Sequence, residues 1–344
     1  MSRHGGGFGG APEAGTIAPM RVAVIGAGGV GGYYGARLAA AGHEVALLAR
    51  GKTLEAIRKN GLRVESAAGP PLIVHPKALE LLELAREKPF DLVLWCVKAT
   101  QNEEAARGLD PLATQATWWL PFQNGVEAED FLKSRFPKAQ VLGGTCYISA
   151  LTEAPGVVRH YAAGHITIGD IGLCDPSGAP EVLERLRKAF EGAGVAVHVS
   201  GGIRAAKWKK LIWNASLNTL SAITGASATA LLSFGSTREW VRAAMYEVVD
   251  VAEALGVELS RKDADQHIQF TRALAEVRTS MLWDMEQGRP LEHEALCGVV
   301  VRLGGREGVE TPVLRLLYTL LAEHEAGLGA ASARPPLPPP AGLG

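Results

Sequence analysis

Three polar residues, Lys210, Asn214 and Asn218, recur at every fourth position in one segment of the chain. This spacing places their side chains on one face of an α-helix over two turns. Most residues between them are apolar or aromatic, so the helix is predicted to be largely buried, where unpaired polar groups are costly. A substrate in a cleft between two domains would supply their partners. The alternative is a solvent-exposed face, and Lys207 and Lys209 indicate that the start of the helix is exposed.

A glycine-rich turn near the start of the chain has the spacing G-x-G-x-x-G. A strand-like run leads directly into Gly26, Gly28 and Gly31, and a helical pattern follows. In such a motif the first glycine permits the tight turn, the second lets a pyrophosphate approach the backbone, and the third lets helix pack on strand. The phosphates then lie at the helix N-terminus, which attracts anions. The predicted dinucleotide contacts are Gly26, Ala27, Gly28, Gly29, Val30 and Gly31.

The residue after the second strand-like run indicates which dinucleotide is bound. An NAD site carries an acidic residue about 20 positions after the motif, where it holds the ribose 2′-hydroxyl. Here Arg50 follows the strand, 19 positions after Gly31, and Glu44 lies at the wrong end. A guanidinium suits a 2′-phosphate through charge-assisted hydrogen bonds. The sequence therefore favours NADP(H), the alternative being a solvent-facing arginine.

The elements that must position these residues fall into two halves. Up to about Gly201, short apolar runs alternate with helical patterns, which predicts an α/β Rossmann-type domain with a parallel sheet over residues 20–201. Residues 157–169 are predicted to form a hairpin through Ala162-Ala163-Gly164. Beyond Gly201 the pattern predicts an all-α C-terminal domain over 202–325, with helices at 203–224, 236–255, 261–287, 290–304 and 312–325.

Composition limits the class of protein. Of 344 residues, 47% are hydrophobic and the net charge is −1, which excludes global disorder and argues against a nucleic-acid or membrane partner. Neither the cysteines nor the histidines show metal-ligand spacing, so no metal is predicted. With no secretory signal and no spanning run, the expected location is cytoplasmic. Residues 1–19 and 326–344, rich in Gly or Pro, are predicted to be a disordered extension and tail.

Several motifs over residues 20–325 together resemble the ketopantoate reductase (2-dehydropantoate 2-reductase) family. Any one of them is weak evidence, but their shared order and spacing are not an accident. The matching segments are 23–50, 94–101 (V-K-x-x-Q), 123–126 ([HQ]-N-G), 203–218 (W-x-K-L-x-x-N-x-x-x-N) and 280–298 (S-M-x-x-D, then E-x-D-x-x-x-G).

The resemblance implies an NADPH-dependent reductase that converts 2-dehydropantoate into (R)-pantoate, a step of pantothenate and coenzyme A biosynthesis. Lys210 is then implied to be the general acid that protonates the ketone oxygen as the hydride arrives, a role that suits an ammonium of lowered pKa. Glu292 is implied to hold Lys210 and the nicotinamide ribose in register, as both a catalytic and a cofactor-binding residue. Asn214, Asn218 and Ser280 are implied to bind the hydroxyl and carboxylate groups of the substrate.

Three further residues are expected at the cofactor. Asn124 lies at the sheet edge where ligands bind in this fold, so it is expected to contact nicotinamide or substrate. Lys98 is expected to contact cofactor phosphate or ribose, and Ala150 is implied as another contact. Each role has a structural alternative: a turn-forming Asn124, a solvated Lys98, a surface carboxylate at Glu292, and a helix cap at Ser280.

Two positions depart from the family pattern. Glu294 replaces the Asp of E-x-D, and Ala228 stands where an Asn would contact the substrate. The identity of the 2-oxo acid substrate is therefore left open, and a mandelate-type or other bulky 2-oxo acid is an alternative substrate. A non-catalytic NADPH-binding sensor is an alternative of another class, although a sensor has no need of a proton donor. The sequence also leaves open whether the chain forms a homodimer.

Overall fold

The computed structural model describes residues 18–67 and 69–331. Strands β1 to β10 are Arg21–Ile25, Glu44–Leu48, Leu62–Ser66, Gly69–Val74, Lys77–Leu79, Leu92–Trp95, Trp118–Pro121, Gln140–Ala154, Val157–Leu173 and Val197–Val199. Helices α1 to α6, which connect them, are Gly29–Ala40, Gly51–Asn60, Leu81–Leu84, Asn102–Ala106, Ala128–Arg135 and Ala179–Gly192.

Helices α7 to α14 make up the second half. They are Ile203–Trp213, Thr219–Thr224, Ala228–Ser233, Gly235–Ala254, Arg261–Arg272, Ser280–Glu286, Val299–Glu307 and Pro312–Ala331. Two wide, π-helical turns, Asn214–Asn218 and Glu294–Gly298, lead into α8 and α13. Across the part of the chain that the structure describes, no helix is long and apolar enough to cross a membrane.

The strands form a single mixed sheet in the order β4-β3-β9-β8-β7-β6-β1-β2-β5, with β10 paired to β9. Six neighbouring strands of this sheet, β8, β7, β6, β1, β2 and β5, are parallel. Sequence order reverses between β1 and β6, which opens a crevice at the carboxyl ends of these strands, where such sheets bind ligands. The predicted Rossmann-type domain is confirmed, and β9, β3 and β4 extend its sheet. In this extension β8–β9 and β3–β4 pair antiparallel, whereas β9–β3 pair in parallel.

Strand β1 explains why helices cover both faces of the sheet. Val22 and Val24 belong to one hydrophobic cluster, and Ala23 and Ile25 belong to the other. Because successive side chains of a strand point to opposite faces, both faces must be covered. Helices α1 and α6 cover one face, and α3, α4 and α5 cover the other. A separate cluster, whose buried members lie between Trp208 and Leu321, is the core of the helical domain and confirms that prediction as well.

The hairpin predicted within residues 157–169 is wrong. These residues belong to one continuous strand, β9, and the tight turn lies before it, between β8 and β9. Ala163 has a φ of 59°, and the register with β8 shifts between Tyr147 and Ile148. The small residues therefore form a β-bulge, which uses the same positive φ values as a turn.

The helical domain also differs in detail. The predicted helix 261–287 breaks into α11 and α12, because the Thr279 hydroxyl accepts the Leu282 N–H and starts a new helix. The segment 203–224 is helical throughout but contains a wide turn, and α9 was not predicted. Helix α14 reaches Ala331, so the predicted tail does not begin at 326. The rest of that tail, and residues 1–17 of the predicted extension, lie outside the described residues.

Candidate active site between the sheet edge and helix α7

The glycine-rich turn lies at the carboxyl end of β1, directly before α1. Gly26 has a φ of 106°, a conformation that favours glycine. A Cβ on Gly31 would lie 2.1 Å from the Gly26 carbonyl oxygen, and one on Gly29 would lie 2.3 Å from the Ala150 carbonyl oxygen. Gly28, by contrast, has no described neighbour within 4 Å of a Cβ position and adds no side-chain cap to α1. This open space beside free N–H groups fits a pyrophosphate, and Ala150 borders it.

Two other predicted cofactor contacts, Ala27 and Val30, are partly buried against the core at the same turn. Arg50 follows β2, the neighbour of β1, so it lies at the same sheet edge. Its side chain is 74% exposed and pairs with Glu104, which is also exposed. An ion pair between two exposed side chains is weak, so a phosphate group can replace Glu104 as the partner of Arg50.

Lys210 is the centre of a group of hydrogen bonds that joins the two domains. Its Nζ donates to Asn124 Oδ1 at 3.0 Å and to the carbonyl oxygen of Cys146 at 2.6 Å. Asn124 Nδ2 donates to Glu292 Oε2 at 3.2 Å, and the other Glu292 oxygen accepts the Ala99 N–H at 3.2 Å. The structure therefore brings the predicted catalytic pair, Lys210 and Glu292, onto one asparagine.

The three asparagines continue this group as a chain of amide hydrogen bonds. Asn214 Nδ2 donates to Asn124 Oδ1 at 3.4 Å, and Asn218 Nδ2 donates to Asn214 Oδ1 at 3.4 Å. Asn214 and Asn218 are 6% and 2% exposed, so these two members of the predicted polar stripe are buried, whereas Lys210 is partly buried. Both asparagines lie in the wide π-helical turn, a feature found often at functional sites.

The direction of this amide chain follows from its two charged ends. A carboxylate can only accept and an ammonium can only donate, so Asn124 must turn its Nδ2 towards Glu292 and its Oδ1 towards Lys210. Asn214 then donates to that oxygen, and its own oxygen accepts from Asn218. The last oxygen, Asn218 Oδ1, is buried and has no hydrogen-bonding partner among the described residues. It remains an acceptor for a donor that a ligand would bring.

The surroundings of Lys210 favour loss of its proton. Burial lowers the pKa of Lys210, and the Lys207 cation adds to this, whereas Cys146 and Glu292 oppose it. The ammonium also lies 5.5 Å from the centre of the Tyr147 ring. A lysine held in this way can deliver a proton more readily than one in water.

Tyr147 and His165 form an aromatic wall beside Lys210, which the sequence analysis did not identify. They are direct partners across β8 and β9, and their rings stack at 4.7 Å with an angle of 11° between them. Burial raises the pKa of Tyr147 and lowers that of His165, so both rings favour the neutral form. The pairing of two distant strands creates this wall, and no local pattern signals it.

Lys98 contacts the helical domain, although its side chain stays 36% exposed. Its Nζ donates to Asp284 Oδ2 at 2.7 Å and to the carbonyl oxygen of Pro290 at 3.3 Å. Asp284 also pairs with Arg289 at 3.0 Å. Lys98 therefore links the sheet edge to the helical domain close to Glu292, and its contact with a cofactor stays a prediction.

Ser280 lies apart from the asparagine chain in this structure. It is exposed at the first position of α12, and the neighbouring Thr279, not Ser280, caps the helix. The ring of Trp283, in the same helix, stacks on that of Tyr161 in β9, with 6.4 Å between the ring centres. Helix α12 therefore borders the paired strands β8 and β9, and β8 carries Tyr147. The structure therefore does not bring Ser280 onto the asparagine chain, and its substrate contact stays a prediction.

The expectation that Lys207 marks an exposed helix start is wrong. Its side chain is 2% exposed and forms an ion pair with Glu129, which is 1% exposed. The two residues are 78 positions apart, so nothing in the local sequence signals their contact. Lys209 is 43% exposed, as expected, and pairs with Asp263 at 2.7 Å. Within residues 18–67 and 69–331 there is no cluster of three or more His, Cys, Asp or Glu that suits a metal ion.

Two protein-family models match the chain. The model described as ketopantoate reductase PanE/ApbA matches residues 22–172. The model described as ketopantoate reductase PanE/ApbA C terminal matches residues 202–325. The first match contains the glycine-rich turn and Asn124, and the second contains the Lys210 helix and Glu292.

Individual proteins give the same result. The 2-dehydropantoate 2-reductase of Mesorhizobium japonicum is 31% identical over 324 residues, covering 88% of this chain and 97% of that protein. A solved PanE/ApbA family ketopantoate reductase from Ralstonia eutropha JMP134 has a TM-score of 0.81 and 34% identity, covering 90% of this chain and 100% of that one. A D-mandelate dehydrogenase solved with NADH and anilino(oxo)acetate has a TM-score of 0.84 but 23% identity, covering 90% and 99%, which is a likeness of fold alone.

Proposed function

This chain belongs to the ketopantoate reductase family, and from that premise we propose that it reduces 2-dehydropantoate to (R)-pantoate with NADPH. The product is the pantoate that pantothenate synthesis requires. In this proposal residues 20–201 bind the cofactor at the glycine-rich turn and Arg50, and residues 202–325 supply most of the substrate contacts. NADPH would supply the hydride to the ketone carbon.

Lys210 would supply the proton to the ketone oxygen. Its position supports this role, because its ammonium is held by Asn124 and the Cys146 carbonyl while burial lowers its pKa. The positive charge also stabilises the negative charge that develops on the oxygen. Glu292 would orient Asn124 and the nicotinamide ribose, and Asn124 would in turn orient Lys210. Lys98 and Ala150 are proposed as further cofactor contacts, and Ser280 as a carboxylate or hydroxyl contact once the cleft is filled.

Asn218 Oδ1 is the observation that supports the choice of substrate. A buried acceptor without a donor costs about 1–3 kcal/mol, and a substrate hydroxyl would remove that cost. 2-Dehydropantoate carries such a hydroxyl at the end of a short branched chain next to its ketone. A mandelate-type 2-oxo acid, with a phenyl group on the ketone carbon, carries none. The hydroxylated substrate is therefore favoured over this alternative.

We expect the site to discriminate by this hydroxyl. Trimethylpyruvate has the carbon skeleton of 2-dehydropantoate but lacks the hydroxyl, so kcat/KM for it should be roughly 10- to 100-fold lower. The Asn218→Leu variant should lose most of this preference, because it no longer presents an unpaired acceptor. NADPH oxidation with both substrates and both enzymes measures the coupling. Equal kcat/KM values in the unmodified enzyme would show that the hydroxyl is not recognised, and a preference for phenylglyoxylate would support the mandelate-type alternative.

Arg50→Asp is expected to move the cofactor preference from NADPH towards NADH. The change removes the guanidinium and places a like charge beside the 2′-phosphate, a loss worth roughly 1.5–3 kcal/mol, or about ten- to a hundredfold in affinity. Fluorescence titration with both dinucleotides gives the two dissociation constants. Glu104→Gln is the matched control, since it removes the present partner of Arg50 and should preserve the NADPH preference. An unchanged ratio in Arg50→Asp would place the phosphate elsewhere.

The sensor alternative is less well supported. A protein that only binds NADPH needs neither a proton donor of lowered pKa nor an unpaired acceptor eight residues further along the same helical segment. A cytoplasmic location and a homodimer stay predictions.

A further inference from the structure

Helix α7 and strand β8 lie side by side along three matched contacts, which we call the α7–β8 seam. The contacts, in order along both elements, are Ile203 on Gly143, Lys207 on the Gly144 carbonyl, and Lys210 on the Cys146 carbonyl. Residues 203–210 of a helix rise by ~10.5 Å, and residues 143–146 of a strand advance by ~10 Å. The two elements therefore stay in step over the whole seam.

The middle contact of the seam is the buried Glu129–Lys207 ion pair. Glu129, in α5, uses one carboxylate oxygen for both sides of the seam: Oε1 accepts the Lys207 ammonium and also the Gly144 N–H at 3.3 Å. Lys207 Nζ in turn reaches the Gly144 carbonyl at 3.4 Å. A single carboxylate oxygen thus fixes where Lys207 of α7 lies relative to Gly144 of β8.

The pair is a poor device for stability alone. Replacing a buried ion pair by apolar residues of similar volume is often neutral or stabilising, because desolvation offsets the attraction. Here the desolvation cost is larger than usual, since Glu129 Oε2 is buried and has no hydrogen-bonding partner among the described residues. Ile203 and Trp208, both at most 3% exposed, already provide apolar packing for α7. The pair adds directional hydrogen bonds to this packing, and these bonds oppose sliding of α7 along β8.

We propose that the Glu129–Lys207 pair is a positioning device for Lys210. By fixing α7 along β8, it holds the Lys210 ammonium at the Cys146 carbonyl and at Asn124, where it must meet the ketone oxygen. The inference rests on the proposed role of Lys210 as proton donor. Lys210 follows Lys207 by three residues, or ~4.5 Å along the same helix. A shift of α7 along β8 at Lys207 therefore displaces Lys210 as well. A misplacement of about 1 Å can cost roughly a hundredfold in rate.

Lys207, one member of the pair, also acts on the charge of Lys210. Burial is the main cause of its lowered pKa, and the Lys207 cation lowers it further. Removing the pair should therefore raise the pKa of Lys210. The titratable or charged groups that surround Lys210 are Lys207 on α7, Cys146 and Tyr147 on β8, His165 on β9, and Glu292 before α13.

The test is the double variant Lys207→Met/Glu129→Leu, which replaces the pair by apolar residues. Its melting temperature should stay close to that of the unmodified protein, while kcat falls roughly ten- to a hundredfold and KM for NADPH stays unchanged. The pKa of Lys210 should rise, as measured by the pH dependence of its acylation, read by mass spectrometry. The matched control is Lys209→Met/Asp263→Asn, which removes the partly exposed ion pair two residues after Lys207. An amide at position 263 can still accept the Ser260 N–H at the start of α11, so the control should change neither kcat nor the acylation of Lys210. Unchanged kcat and unchanged Lys210 acylation in the first double variant would overturn the proposal.

A conservative variant keeps the proposal testable if the double variant does not fold. Glu129→Asp retains the charge but shortens the side chain by one methylene, so the seam must shift or its hydrogen bonds must lengthen. A lower kcat with a changed Lys210 acylation profile supports positioning, and values equal to those of the unmodified enzyme contradict it. Acylation needs neither substrate nor cofactor. If the unmodified enzyme reduces no 2-oxo acid, the proposed function fails, but the acylation profiles still decide whether the pair positions Lys210.

Discussion

Lys210→Ala is expected to lower the rate of hydride transfer by roughly 10²–10⁴-fold, the usual contribution of a general acid. The variant removes the only ammonium placed on the Asn124 and Cys146 oxygens in the described part of the chain. Affinity for NADPH should barely change, because the glycine-rich turn and Arg50 belong to the other domain. Single-turnover measurements of NADPH oxidation with 2-dehydropantoate separate these two quantities.

The pH dependence gives a second measure of the same role. Lys210 must be protonated to donate, and burial lowers its pKa. Turnover should therefore be full below this lowered pKa and should fall as the pH rises through it. In Lys210→Ala this alkaline decline should disappear, since no proton donor remains to titrate. A decline that persists unchanged in the variant would assign the titration to another group.

Lys209→Ala is the matched control for Lys210→Ala. Lys209 lies one residue earlier, so it points about 100° away around the helix. Its partner is Asp263 on α11, outside the asparagine chain. The control should retain nearly full activity. If Lys209→Ala were the damaging change while Lys210→Ala stayed active, the helical-face argument and the proposed acid would both be wrong.

Gly28→Val is expected to abolish tight NADPH binding without weakening the fold. Gly28 has a φ of −82° and no described neighbour within 4 Å of a Cβ, so the backbone and the space around the Cβ accept a larger residue in the free protein. Its side chain would occupy the space proposed for the pyrophosphate and remove at least two charge-assisted hydrogen bonds. This should cost ~10²-fold or more in affinity. Thermal unfolding and fluorescence titration with NADPH measure the two effects separately.

Gly31→Ala is the contrasting variant in the same motif. A Cβ at Gly31 would lie 2.1 Å from the Gly26 carbonyl oxygen, so this change should lower the melting temperature. The two glycines would thus separate the ligand-binding role from the packing role within one motif. Wild-type affinity for NADPH in Gly28→Val would mean that the pyrophosphate lies elsewhere.

The parts of the site that depend on neighbouring residues could be predicted from the sequence. The turn at Gly26, Gly28 and Gly31 needs only a strand, three small residues and a helix in succession. The stripe of Lys210, Asn214 and Asn218 needs only the helical repeat. Alternation of strands and helices was likewise enough for the Rossmann-type domain and the helical domain that follows it. In each case the signal lies within a few residues, where the backbone itself relates the side chains.

Small residues were ambiguous because they serve more than one local structure. Ala162-Ala163-Gly164 fits a turn as well as a β-bulge, since both use positive φ values. Pairing of β9 with β8 over a long ribbon decided in favour of the bulge. That pairing also placed Tyr147 against His165, and so built the aromatic wall beside Lys210.

Only the tertiary structure decided which charged groups are buried and what they contact. Lys207 and Lys209 have similar neighbours in the sequence, yet one is buried on Glu129 and the other is partly exposed on Asp263. Asn124 meets Glu292 across 168 positions of the chain. A charge or amide is stable in the interior only if another element brings a partner to it. Helical and strand periodicity determine which way a side chain points, but the packing of distant elements determines what it meets there.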